Sequence, residues 1–160
     1  MILNIVLHPA DILNKKTKKV EAFDSSLHQL LDDMYETMVH ADGVGLAAPQ
    51  IGIDQQIAIV ETGEENGRLE MINPEIVYSE GEEIGIEGCL SIPNVYGDVI
   101  RSYKIRLRAQ DRFGEEFEME AEGFFARAIQ HEIDHLHGIL FTSKAKRFYT
   151  EEELERMTED

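Results

Sequence analysis

The chain of 160 residues carries 15 Lys and Arg against 32 Asp and Glu, a formal charge of −17, and 42% of its residues are hydrophobic. That size suits one domain with a single core, and the composition is that of an ordinary globular protein. The charge excludes binding to phosphate backbones or anionic lipid by bulk attraction, and the single Cys89 excludes an internal disulfide. No apolar run approaches the ~20 residues of a membrane-spanning helix. Met1 to Pro9 shows neither a basic opening nor a small-residue cleavage site, so no secretory signal and a cytoplasmic location are expected.

In chain order, residues 1–20 read as an extended segment with a turn at His8-Pro9 and a solvated lysine cluster, Lys15, Lys16, Lys18 and Lys19. Asp24-Ser25-Ser26 offer N-caps for a helix whose core stripe is Leu27, Leu30, Leu31, Met34 and Met38, with Gly43 as its stop. The period then changes. Ile57–Val60 reads as a buried strand, and Leu69–Ile72 begins another that ends at Asn73-Pro74. Nine glutamates between Glu61 and Glu87, with glycines at turns, predict the outer face and loops of antiparallel strands. Lys104 to Glu122 reads as a hairpin, with Ile105, Leu107 and Ala109 on one face opposite Phe117, Met119 and Ala121, and a turn at Arg112-Phe113-Gly114-Glu115. A largely buried second helix is expected from Gly123 to His137, ending at Gly138. From about residue 144 the chain is a short acidic tail in which Thr150-Glu151-Glu152-Glu153 has capping-box spacing. Strands between two helices predict an α+β fold with mostly antiparallel sheet, formed as one domain over 1–160.

The second helix carries His131-Glu132-Ile133-Asp134-His135. Histidines at i and i+4 lie on one helix face, so their imidazoles can converge on one cation, and Glu132 can reach a water bound there as a general base. A catalytic site needs a third ligand and an open position. One known extension of the motif places a third histidine where this chain has Phe141. Glu153 and Glu155 sit at a charged chain end, where a solvated face explains them better. Cys89, within Glu87-Gly88-Cys89-Leu90-Ser91-Ile92-Pro93, is the better candidate, because a thiolate is a soft donor suited to Zn²⁺ or Fe²⁺. A third constellation runs from Gly43 to Gly52. Its glycines allow close approach of a substrate backbone, and the Gln50 amide could point at a developing oxyanion.

Together these segments resemble the peptide deformylases. The similarity extends from His8-Pro9…Leu13…Val20 through 43–52 and 87–91 to 130–136, in that order and spacing. It implies a hydrolase that removes the formyl group from the N-terminal formylmethionine of new polypeptides, and antiparallel sheets packed around the helix bearing His131 and His135. It implies that Cys89, His131 and His135 bind one divalent ion, foremost Fe²⁺, with Zn²⁺, Ni²⁺ or Co²⁺ also accepted. Glu132 becomes the acid/base, and the Gln50 side chain and Leu90 N–H surround the oxyanion. Gly43, Val44 and Gly45 lie along the substrate backbone. The implied partners are formylmethionyl nascent chains and, transiently, the ribosome; a monomer without sequence-specific nucleic-acid binding is expected. The alternatives are a broader metal-dependent peptidase or amidase, or a metal-binding member without turnover. Retention of both Glu132 and Gln50 argues against the latter, since neither is needed merely to hold a metal. Thr142, where the family often has an aspartate, and the short acidic tail depart from the pattern and bear on partner contacts.

Overall fold

The computed structural model describes residues 1–63 and 67–158. Asp24 caps helix α1 (Ser25–His40) by accepting the Leu27 N–H at 3.1 Å, which satisfies one of the donors the first turn leaves open. The strands that follow are β1 (Gly45–Ala47), β2 (Ile57–Val60), β3 (Leu69–Glu80), β4 (Glu83–Cys89), β5 (Ile92–Arg101), β6 (Lys104–Gln110) and β7 (Glu116–Glu122). Helix α2 (Gly123–Leu136), strand β8 (Phe148–Tyr149) and helix α3 (Glu151–Thr158) complete the order. The strands form two antiparallel sheets, ordered β1-β2-β3-β6-β7 and β4-β5-β8.

Strand β2 shows why the larger sheet needs both long helices. Side chains alternate between faces along a strand. Ala58 and Val60 join Ile129 and Ile133 of α2 in one core, while Ile57 and Ile59 join Leu31, Met34 and Met38 of α1 in another. All four residues are therefore buried. On its other side α2 faces the smaller sheet: Arg127 donates to the carbonyls of Val99 and Glu83, at 2.9 and 2.6 Å. Nearby, Gln130 exchanges two hydrogen bonds with the Ser102 backbone. The expected α+β architecture, with antiparallel sheets around a central helix, is the one observed. The tail forms α3 with the capping box read from its spacing: Glu153 N–H donates to Thr150 Oγ1 and Thr150 N–H to Glu153 Oε1.

Two expectations are corrected. The strand expected to end at Asn73-Pro74 continues to Glu80 through a register shift between Ile72 and Glu75. Proline has no N–H for the ladder, and a bulge is where a strand can hold one. Asn73, at φ 52°, uses its side chain to bind both backbone groups of Val20 and so ties the leading segment to the sheet. The glutamates of 61–87 are also not uniformly outward, because Glu87 is buried at 6% exposure. Glu64 and Glu65 lie outside the described residues.

Candidate metal centre and active site

The i, i+4 spacing on α2 brings His131 Nε2 within 3.2 Å of His135 Nε2. The end of β4 brings Cys89 Sγ within 3.3 Å of His135 Nε2. Among the described residues these three side chains form a group whose ligand atoms all lie within 4.8 Å of one another. A tetrahedral site with metal–nitrogen bonds of ~2.0–2.1 Å spaces its nitrogens by about 3.3 Å, so the spacing and donor set suit one divalent ion. Phe141 stacks on the His131 ring with centroids 6.0 Å apart, and Glu153 is engaged in capping α3.

His131 is oriented by Glu87, whose Oε1 accepts from Nδ1 at 2.8 Å and leaves Nε2 facing the cluster. Arg101 binds both Glu87 oxygens at 2.8 Å, and Arg127 Nη1 adds a third bond of 2.8 Å. Burial would raise the Glu87 pKa, but bonds from Arg101 and His131 outweigh it and hold the carboxyl far below its usual range. Arg101 also pairs with Asp134, which binds Lys144 at 2.9 Å. Sequence reasoning missed this network. Its one local signal is that Glu87 stands two residues before Cys89, and residues two apart on a strand share a face.

Glu132 is 4% exposed, and its Oε1 has no hydrogen-bond partner among the described residues. Burial is the main cause pushing its carboxyl up to about 7, with Glu87 and Asp134 adding to it against His131 and Arg101. A Cβ at Gly45 would collide with this carboxylate, so only glycine lets β1 pass there. Gln50 lies in a single 3-10 turn, Ala48–Ile51. Its Oε1 accepts the Ala47 N–H at 2.9 Å, while its Nε2 stands 3.2 Å from Ser91 Oγ and 3.5 Å from Cys89 Sγ. Leu90 begins the two-residue turn between β4 and β5, and its side chain packs against Gly43.

Gly43, Val44, Gly45, Gln50, Cys89, Leu90, His131 and Glu132 all border one cleft of about 280 Å³, and His135 is buried beside them. Phe124, Ile86 and Tyr96 also line it, and none of the three reads as a site residue from sequence; Phe124, whose place in the apolar stripe of the second helix predicts burial, is instead exposed at the cleft. A thiol, two imidazoles and a buried carboxyl with one unpartnered oxygen at the base of a cleft are the equipment of a metal-dependent hydrolase.

Comparison with known proteins bears on the same point. The polypeptide deformylase family matches residues 2–151. Peptide deformylase 1 of Bacillus subtilis is 55% identical over 156 residues, covering 98% of each chain. Among solved structures, a peptide deformylase from Legionella pneumophila superposes with a TM-score of 0.88 at 43% identity, over 99% of this chain and 90% of its own. That from Thermotoga maritima gives 0.89 at 40% identity, over 92% and 99%. The chain belongs to the polypeptide deformylase family. It is a metal-dependent hydrolase of the kind that removes the N-terminal formyl group of newly made polypeptides.

Proposed function

We propose that deformylation is carried out by the side chains of this cleft in the roles the sequence suggested, with Cys89, His131 and His135 holding a single ferrous ion. The observation that carries the reading is the convergence of those three donor atoms beside the unpartnered oxygen of Glu132. A thiolate with two imidazoles suits Fe²⁺ and also accepts Zn²⁺, Ni²⁺ or Co²⁺. Bound there, the ion would supply Lewis acidity that eases loss of a proton from water. Glu132, buried in the same cleft as Cys89 and His131, takes the proton of the attacking water and passes it to the leaving amine. Gln50 Nε2 and the Leu90 N–H donate to the oxygen on which negative charge develops. A formyl carbon bears only hydrogen beside its carbonyl, and the close packing of Gly45 on Glu132 favours that small group over bulkier acyl groups.

The peptide has a natural path. β1 and β4 are edge strands of their sheets, and the cleft is bordered by residues 42–45 beside one and 86–90 beside the other. An extended chain whose N-terminus sits at Cys89 and Gly45 runs antiparallel to both edges, passing Gly43 and Val44 on one side and Ile86 on the other. The centre is complete within one chain, which supports a monomer, and the lone thiol supports the cytoplasm, where formylated chains are made. The test is a paired assay. Free amine is expected from formyl-Met-Ala-Ser and not from acetyl-Met-Ala-Ser, and a chelator should abolish it. Release from both peptides would instead indicate a broader amidase.

Contact with the ribosome we assign to the lysine cluster. Lys15, Lys16, Lys18 and Lys19 are exposed, and none forms an ion pair among the described residues. Lys104, Arg106, Arg108 and Arg112 of the other basic segment face carboxylates, and Arg101 is buried. The glutamates of α3 repel phosphates within a Debye length of about 8 Å. Replacing the four lysines by glutamate is expected to weaken ribosome co-sedimentation while turnover of short peptides stays within about twofold. Unchanged co-sedimentation would contradict the assignment.

A further inference from the structure

The amide of Gln50 can serve an oxyanion only if one of its N–H bonds is aimed beforehand, and the structure contains a second group that could aim it. We propose that the hydroxyl of Ser91 is a positioning group for Gln50, accepting one Nε2 hydrogen so that the other is directed into the reaction centre. The inference rests on the role assigned to Gln50 above.

A primary amide offers one acceptor oxygen and two donors in a plane. Ala47 N–H donates to Gln50 Oε1 at 2.9 Å, so exchanging the two ends of the amide would set donor against donor. That contact decides which end is nitrogen. It leaves the tilt of the plane less defined, because torsions about a terminal sp³–sp² bond are broad. The second anchor is Ser91 Oγ, 3.2 Å from Nε2. With one N–H held there, the other faces Cys89 Sγ at 3.5 Å, an ordinary distance to sulfur but to a weaker acceptor than an oxyanion, which would readily replace it. Ser91 is wholly buried, and Gln50 is the only hydrogen-bond partner of its Oγ among the described residues. Its main chain is tied independently, since its carbonyl accepts the His8 N–H at 2.8 Å. Loss of the hydroxyl therefore loosens the amide without releasing the turn that presents Cys89 and Leu90.

Such a group acts through another, so its effect should vanish when that other is gone. A double-mutant cycle reads this, with kcat expressed per bound metal ion and with metal content and thermal midpoint measured for each variant. Gln50→Ala is expected to lower kcat by roughly 10²-fold, as loss of one preorganised donor does. Ser91→Ala is expected to lower kcat by about tenfold, with KM changed by less than about twofold, since only the transition state feels the aim of the donor. In the Gln50→Ala background, Ser91→Ala should have no further effect. An equal loss in both backgrounds, or no loss per bound ion in the single variant, would overturn the proposal. If Gln50→Ala itself leaves kcat unchanged, the oxyanion role of Gln50 fails and the positioning role falls with it.

Discussion

Cys89→Ala is expected to lose metal and turnover together. The thiolate is the only anionic donor in the cluster, and three protein ligands with one open position are the usual minimum for a catalytic ion. Without it, two imidazoles remain with their Nε2 atoms 3.2 Å apart, one of them steered by Glu87. The substitution is small, Cys89 is only partly buried, and the third core of Leu13, Ile92, Val99, Leu140 and Phe141 stays in place, so the fold should survive. Metal analysis with a turnover assay checks the expectation. One ion per chain and normal turnover in the variant would remove Cys89 from the coordination shell.

Glu132→Gln should give the opposite combination, with metal retained and rate reduced by at least ~10²-fold, the low end for general acid–base catalysis. Glutamine is nearly isosteric and fits the space beside Gly45, but it cannot accept and return a proton. Glu132 also lies outside the group of converging ligand atoms. The decisive readout is activity against ion content over several preparations. If the two decline in parallel, Glu132 holds the ion or its ligands in place and the proton-transfer role is wrong.

Much of this was legible because it is local. The stripe of α1, the apolar run of β2, the alternating faces of the Lys104–Glu122 hairpin and the paired histidines of α2 each follow from a period within one element. The smaller sheet was harder to read. Gly85 and Gly88 resemble turn residues in a glutamate-rich stretch, yet both lie within β4. A Cβ at Gly85 would meet the Arg127 guanidinium at 2.9 Å, so that glycine makes room for a side chain 42 residues away, a demand no local pattern reveals. The network of Glu87, Arg101 and Arg127 was hidden for the same reason. Charged residues in an acidic segment read as solvated until tertiary pairing across β4, β5 and α2 shows them buried. The bulge at Asn73-Pro74 likewise depends on Val20, which is distant in sequence.

The most direct test of a single metal ion acting in a deformylase cleft is a titration of the metal-stripped chain with Fe²⁺ in the absence of oxygen, following amine release from formyl-Met-Ala-Ser and acetyl-Met-Ala-Ser side by side. The arrangement of Cys89, His131 and His135 predicts turnover of the formyl peptide alone, absent at the start and saturating at one ion per chain. Turnover before any metal is added, saturation only at two ions, or equal release from both peptides would contradict it.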